Sequence, residues 1–169
     1  GAIPGQIVKA RIYKKRKGYA EARTLQILSE SPKAVEAPCA HFGVCGGCKI
    51  QNLSYDEQLK EKAHQVEDAF RRLGGFKDFK LDNMVGADPV FNYRNKMEFT
   101  FSPHRWVLES EPKDVDKSFA LGLHIPGRYD KILNIHECHI QPEIGNRILS
   151  LARDVCLKHE ELKPYDPKT

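Results

Sequence analysis

Three cysteines within ten residues constrain this chain more than any other feature of its sequence. Cys39, Cys45 and Cys48 are spaced C-x5-C-x2-C, and two further cysteines, Cys138 and Cys156, follow much later. Five cysteines are an odd number, which does not fit a complete disulfide framework. Clustered cysteines in a reducing compartment more often bind a metal or perform chemistry. The cysteine segment therefore predicts a thiolate site for a metal ion or a cluster.

The ligand spacing favours one kind of metal centre over another. Thiolates select zinc, copper(I) or iron–sulfur clusters, and structural zinc sites commonly use two short pairs of ligands. Three close cysteines and a distant one, Cys138, better suit a 4Fe-4S cluster that a loop holds and a second element closes. Gly46 and Gly47 allow close backbone approach, unusual φ angles and N–H groups that point at sulfur. Zinc remains the alternative, with His41 as a possible fourth ligand, whereas Cys156 is expected to be a core residue.

Positive charge is concentrated at the start of the chain. The chain carries a net charge of +4, and residues 1–33 hold eight Lys and Arg against two Glu. Such a concentration is the electrostatic footprint of a protein that binds a polyanion. Residues 6–28 alternate as a β-hairpin, with a turn at residues 14–18 in which Gly18 can take a positive φ. Either this turn is a solvated hairpin end, or it contacts RNA phosphates and bases through Lys14, Lys15, Arg16, Lys17 and Tyr19.

Two helices are predicted from capping residues and apolar spacing. Ser54 and Glu57 match a capping box at the start of the first, and Gly74 is placed to end it. The second begins at Pro142 and extends to about His159. The apolar faces expected to pack on a core are Leu59, Ala63, Val66, Phe70 and Leu73 in the first helix, and Ile144, Ile148, Leu151 and Val155 in the second.

Three strands are predicted between the helices, at residues 93–102, 119–125 and 131–135, with an acidic loop at residues 103–118. Arg94 and Lys96 share the polar face of the first of these strands. They are candidate RNA contacts, and an ordinary solvated face with a local ion pair is the alternative. His124 and Arg128 are weaker candidates. Together the elements indicate an α+β fold.

Several motifs resemble one known family. The motifs are Cys-x5-Cys-Gly-Gly-Cys, Ile50–Leu53, Tyr55-x-x-Gln58-Leu59-x-x-Lys62, Tyr93–Phe99 and His136–Gln141. In them the chain resembles the iron–sulfur branch of the RNA (uracil-5-)-methyltransferases, which is best known for 23S rRNA. Residues 1–33 are similar to the latter part of a TRAM domain, an OB-like RNA-binding barrel. The resemblance implies a partial TRAM domain at residues 1–33. It also implies a central domain at residues 34–169, with antiparallel strands and two main helices, that is incomplete at its C-terminus.

The resemblance implies a 4Fe-4S cluster held by Cys39, Cys45, Cys48 and Cys138, and RNA, foremost 23S rRNA, as the partner. It also implies a parent enzyme that uses S-adenosylmethionine, attacks uracil C6 with a cysteine and transfers a methyl group to C5. The domain for that chemistry is expected to follow residue 169. No catalytic residue is therefore assigned here, and this chain alone is expected neither to methylate RNA nor to bind S-adenosylmethionine.

Two other functions are compatible with the cysteines. A zinc-binding RNA-recognition module would use a single tetrahedral metal ion. An iron–sulfur electron-transfer protein would carry a partly exposed cluster that cycles reversibly, and the basic N-terminal segment disfavours it. No segment is long and apolar enough to span a membrane, and no secretory leader opens the chain, so a cytoplasmic location is expected.

Overall fold

The computed structural model describes residues 1–164 and residue 166. The chain is a mixed α+β protein, as its sequence predicts. Its elements, in order, are β1 (Ile7–Arg16), β2 (Tyr19–Ser29), α1 (Tyr55–Arg72), β3 (Thr100–Ser102), β4 (Arg105–Trp106), β5 (Ala120–Ile125), β6 (Arg128–Asn134) and α2 (Glu143–Lys158). They form two compact units. The hairpin unit contains residues 1–37 and 50–87, and the cysteine unit contains residues 38–49 and those from 88 onward.

The predicted hairpin is confirmed, with a tighter turn than expected. β1 and β2 pair antiparallel until Arg16 faces Tyr19, so only Lys17 and Gly18 form the turn. Gly18 has a φ of 94°, a conformation that costs glycine little because it has no Cβ. Three of the five residues assigned to the turn, 14–16, therefore lie in β1.

Helix α1 begins where predicted but without its predicted capping box. Ser54 is the N-cap residue, yet its side chain makes no capping hydrogen bond. The Glu57 carboxylate instead contacts the ammonium groups of Lys60 at 2.7 Å and Lys33 at 3.3 Å. The Ser54 N–H, to which Glu57 would bond in a capping box, donates instead to the Lys33 carbonyl at 3.0 Å.

The apolar side of α1 is covered in part by the segment that follows it. The rings of Phe70 and Phe79 stack at 4.1 Å, and the Tyr55 hydroxyl accepts a hydrogen bond of 2.7 Å from the Ala87 N–H. Leu73, predicted to complete the packed face, is 89% exposed at the C-cap. The packing therefore comes from a local return of the chain, which helical periodicity does not report.

The cysteine unit is built on a four-stranded sheet with the order β3-β5-β6-β4. The pairs β3–β5 and β5–β6 are antiparallel, as predicted, whereas β4 pairs with β6 in parallel. β4 consists of two residues inside the segment predicted to be a loop, so that prediction is wrong there. A two-residue strand within an acidic, proline-containing segment gives no alternation pattern in the sequence. It forms because β6, far along the chain, pairs with it.

The strand predicted for residues 93–102 is wrong over most of its length, because only Thr100–Ser102 forms a ladder. The preceding backbone bonds elsewhere. Asn92 donates its N–H to the His139 carbonyl at 3.0 Å, and Arg94 donates to the Ile140 carbonyl at 2.8 Å. Alternation of apolar residues reports that one face is buried but does not supply a neighbouring strand.

Helix α2 has the predicted position and a different buried face. The four residues expected to pack, Ile144, Ile148, Leu151 and Val155, are 48–64% exposed. The buried residues are Leu149 and Arg153. The Arg153 Nη2 group donates to the Leu121 carbonyl at 3.0 Å, to Asn134 Oδ1 at 3.2 Å and to the Ile135 carbonyl. Burying a guanidinium is costly unless its donors are paired, and reaching these acceptors with Nη2 turns that face toward the sheet. The Arg153 Nε is buried without a partner among the described residues.

Replacing Arg153 with alanine is expected to destabilise the cysteine unit by about 2 kcal/mol, the typical size of a lost hydrogen bond to a charged group. The change would also remove a donor from the Ile135 carbonyl and one of two donors from the Leu121 carbonyl, which still accepts from the Ile135 N–H. Arg147→Ala, at an exposed position of the same helix, is the matched control and should cost less than about 0.5 kcal/mol. Urea denaturation measures both variants, and equal losses would contradict this role for Arg153.

The division into compact units differs from the predicted domain division. Packing groups α1 with the hairpin, whereas the predicted boundary near residue 33 assigns it to the central domain together with the cysteine segment. The predicted domains rest on family resemblance and stay a prediction; four residues of the second, 165 and 167–169, lie outside the described residues. Within the described part of the chain, neither helix combines the length and apolarity needed to cross a bilayer.

Candidate functional site

The cysteine segment folds as a series of short turns. The Phe42 N–H donates to the Cys39 carbonyl at 3.0 Å, and the Cys45 N–H donates to the His41 carbonyl at 2.9 Å. Gly43 has a φ of 87°, which makes it the glycine of the loop that needs its conformational freedom. The expectation that Gly46 and Gly47 supply the unusual φ is therefore wrong. A Cβ at either residue would instead lie 3.4 Å from a neighbouring atom.

Gly47 directs a backbone donor at sulfur. Its N–H lies 3.3 Å from the Sγ of Cys45, and a Cβ at this position would lie 3.4 Å from the same Sγ. A side chain at this position would therefore touch the sulfur that its own amide approaches. N–H groups directed at sulfur are a usual feature of sites that hold thiolate-bound iron.

Cys138 joins the loop through the core. It lies between β6 and α2 and is buried in an apolar cluster with neighbours such as Leu133 and Leu149. Cys45 and Cys48 are half-buried and pack against the same cluster. The fold thus brings a residue ninety positions beyond Cys48 to the cysteine loop, a proximity that sequence spacing alone does not report.

The pKa of the Cys45 thiol is affected by the other three cysteines. Burial raises the pKa of the Cys45 thiol, the Gly47 N–H opposes that change, and proximity to Cys48, Cys138 and Cys39 raises the pKa further. All four thiols therefore lie in one neighbourhood. A thiol with a raised pKa stays protonated near neutrality, so a bound metal has to displace its proton.

The donor set of the cysteine unit consists of four thiols. Among the residues that the structure describes, no three His, Cys, Asp or Glu side chains stand together as the ligands of a metal ion. Thiolates bind both zinc and iron–sulfur clusters. Four neighbouring thiols, one with a backbone N–H directed at it, fit either group.

The remaining candidate ligands are Cys156 and His41. Cys156 is half-buried on α2, and whether it is only a packing residue stays a prediction. His41 is half-buried, and its Nδ1 is buried without a hydrogen-bond partner among the described residues. Burial lowers the pKa of His41, which favours the neutral imidazole that metals bind.

The basic residues of the hairpin lie on its surface. Lys14, Lys15, Arg16, Lys17 and Tyr19 are all exposed. The Lys14 ammonium lies 2.7 Å from the Glu21 carboxylate across the hairpin, so part of its charge is neutralised locally. The end of β1 and the turn thus present concentrated positive charge beside an exposed aromatic ring, an arrangement suited to phosphates and bases.

A cavity of about 450 Å³ lies beside the cysteine loop, lined by Gly46, Gly47, Arg94, Lys96, Met97, Glu98, Leu123 and His124. Lys96 pairs with Glu98 at 2.7 Å, and the Arg94 Nε donates to the Lys96 carbonyl at 3.2 Å. Both basic side chains are exposed. The ion pair considered in the sequence is present, and it borders an open cavity. Arg128 donates to Asp130 at 2.9 Å, outside this lining.

Asn146 and Arg153 are functional candidates that sequence reasoning missed. Asn146 contacts the backbone of Cys138, and Arg153 contacts the sheet that carries the cysteine unit. The one local signal is that both are polar residues on the helix face that contains Leu149. This signal is weak because the opposite face of α2, which contains Ile144 and Ile148, is more apolar and is the face predicted to be buried.

No protein-family model matches the chain. The chain is similar over nearly its whole length to parts of longer bacterial proteins that are named uncharacterized RNA methyltransferases. It is 39% identical to one from Porphyromonas gingivalis, over 97% of this chain and 37% of the relative. It is 42% identical to one from Bacteroides thetaiotaomicron, over 94% and 36%, and 41% identical to one from Chlorobaculum tepidum, over 98% and 35%. The chain thus spans a little over a third of the length of these curated relatives.

Proposed function

We propose that this chain is the RNA-binding, iron–sulfur-bearing part of an RNA methyltransferase that uses S-adenosylmethionine to convert uridine to 5-methyluridine in rRNA, 23S rRNA foremost. The methyltransferase assignment is supported by relatives that carry that name. The catalytic cysteine and the S-adenosylmethionine site belong to the remaining part of such a protein. This chain would bind RNA and would carry the iron–sulfur cluster.

The observation that carries the proposal is that three cysteines meet at the core of the cysteine unit, with Cys39 near Cys45. Cys138 is buried among apolar side chains, and Cys45 and Cys48 pack against the same apolar side chains. Cys39, Cys45, Cys48 and Cys138 would hold a 4Fe-4S cluster. Because the reaction involves no net electron transfer, the cluster would serve to cross-link the loop to the sheet.

The RNA would be bound by basic surfaces on each unit. On the hairpin unit, residues 14–17 would neutralise phosphates and Tyr19 would stack on a base. On the cysteine unit, Arg94 and Lys96 would bind nucleotides at the open cavity beside the loop. The partial TRAM assignment belongs to this proposal, since a two-stranded hairpin with exposed apolar side chains, Ile7 and Ile12 among them, has the character of part of a larger barrel.

A second candidate is a zinc-binding RNA-recognition module. The buried and unpartnered Nδ1 of His41 favours it, because such a nitrogen is available as a metal ligand. In this case His41 would join the cysteines around a single ion. The RNA-binding surfaces would be the same, so the metal decides between the two candidates.

The metal content of the chain tests the proposal. After anaerobic purification or reconstitution, we expect about four iron atoms and four acid-labile sulfides per chain, with a broad visible absorption band. Stoichiometric zinc with neither iron nor that band would replace the cluster by the zinc module. A chain that takes up neither metal would overturn both candidates.

The catalytic part of the proposal needs a separate experiment on the longer polypeptide. Transfer of a labelled methyl group from S-adenosylmethionine to C5 of uridine in 23S rRNA would support it. Labelling at another atom or in another class of RNA would leave an RNA methyltransferase but contradict the proposed substrate.

A further inference from the structure

One side chain of α2 holds both polar backbone groups of Cys138. The Cys138 N–H donates to Asn146 Oδ1 at 2.9 Å, and Asn146 Nδ2 donates to the Cys138 carbonyl at 3.3 Å. Cys138 lies in the connection between β6 and α2, where neither a strand ladder nor a helix fixes the backbone. Asn146 therefore supplies the hydrogen bonds that regular secondary structure would otherwise provide.

A buried glutamine fixes the orientation of this amide. The Gln141 side chain donates through Nε2 to Asn146 Oδ1 at 2.5 Å, and the residue is buried. Asn146 Oδ1 thus accepts from two N–H donors, while Nδ2 faces a carbonyl, so the amide has one satisfactory orientation. Gly145 leaves the room for this arrangement, because a Cβ there would lie 2.8 Å from Gln141 Oε1.

The turn is also held from the other side of the cysteine unit. Asn92 and Arg94 donate their backbone N–H groups to the carbonyls of His139 and Ile140. These bonds fix the residues after Cys138. The Cys138 N–H is held by Asn146, and the Cys138 carbonyl accepts from Asn146 Nδ2 and, at 3.4 Å, from the Gln141 N–H. The direction of the Cys138 Cα–Cβ bond, and with it the position of Sγ, depends on that backbone being held.

We propose that Asn146 is a positioning residue that aims the Cys138 thiolate at the metal centre. The inference rests on the proposed function, in which Cys138 is the ligand that does not come from the loop. Residues that orient a ligand without touching the metal commonly change metal affinity about 10–100-fold when they are replaced. The neutral amide also suits this position. An aspartate would accept the same N–H but would bring negative charge beside an anionic thiolate centre.

The experiment compares three variants of the whole chain: Asn146→Ala, Asn146→Asp and Ile132→Val. Ile132 is a fully buried residue of β6 outside the apolar cluster that contains Cys138. Its truncation lowers stability without touching the ligand turn. The rate of cluster loss in air, the iron and sulfide content, the reduction potential and the electron paramagnetic resonance spectrum of the reduced protein are measured at a temperature at which circular dichroism shows every variant folded.

We expect Asn146→Ala to lose its cluster about 10–100-fold faster than the parent chain, with an altered resonance spectrum. Asn146→Asp should retain iron better than the alanine variant, because Oδ1 still accepts the Cys138 N–H, and should shift the potential to a more negative value. Ile132→Val should keep the lifetime and spectrum of the parent.

A parent chain that holds the cluster while Asn146→Ala keeps its lifetime and spectrum would overturn the positioning role and leave the proposed function intact. Equal acceleration by Ile132→Val, at an equal fall in Tm, would likewise reduce Asn146 to a stabilising residue. If the parent binds zinc, the same variants are compared by competition with a chelator, and unchanged affinity in Asn146→Ala overturns the inference. A parent that binds neither metal ends the proposed function and this inference together.

Discussion

Replacing Cys138 with alanine is expected to remove most of the iron from the chain, whereas replacing Cys156 should leave the iron in place. Three loop cysteines leave one iron of a cluster without a protein ligand, so loss of the fourth cysteine opens the cluster to solvent and oxygen. The cluster also closes a loop of ninety positions between Cys48 and Cys138. By analogy with a disulfide across a loop of that length, opening it should cost roughly 4 kcal/mol, or about 10 °C in Tm.

Cys156→Ala is the matched control, because it removes the same sulfur from a half-buried position on α2. Its expected cost is at most about 1 kcal/mol of packing. Iron analysis, sulfide analysis and thermal unfolding of both variants are compared with the parent. Loss of iron in Cys156→Ala but not in Cys138→Ala would show that the ligand assignment is wrong.

Replacing residues 14–17 of the hairpin with alanine should make RNA binding weaker and less dependent on salt. Lys14 is paired with Glu21, so Lys15, Arg16 and Lys17 are expected to make most of the phosphate contacts. For single-stranded RNA, losing three contacts should reduce the slope of log affinity against log salt by about 2, and should weaken binding roughly tenfold or more at low salt. A titration with single-stranded RNA at several salt concentrations measures both quantities.

A charge-matched variant separates local contacts from net charge. It replaces four exposed lysines outside the hairpin strands, Lys77, Lys80, Lys113 and Lys117. This control should change the slope much less, since distant charges are screened at moderate salt. If both variants change affinity and slope equally, the hairpin tip is a solvated turn and RNA responds only to overall charge.

The proposed RNA-binding site and the proposed metal site differ in how completely the sequence predicts them. The hairpin tip is encoded by adjacent residues, so its exposed charge follows from composition and a two-residue turn. The cysteine loop was recognisable from spacing, yet the relation of Cys138 to it depended on the path of two strands and a helix. Asn146 has only a weak signal in the sequence, its place on the helix face that contains Leu149, because a lone asparagine in a helix does not show which backbone it will contact.

Elements whose signals are local could be predicted from the sequence. The hairpin, the starts of both helices, β5 and β6 lie close to where turn residues, N-cap residues and alternation predict them, because these signals depend on hydrogen bonds and side chains within a few positions. The pairing of segments and the choice of buried faces follow from contacts between distant parts of the chain. Residues 93–99 lack a ladder, Arg105–Trp106 gains one, and α2 turns Leu149 and Arg153 inward. Each of these outcomes depends on acceptors and apolar surface supplied by residues far away in the chain, such as the Leu121 and Ile135 carbonyls that Arg153 reaches.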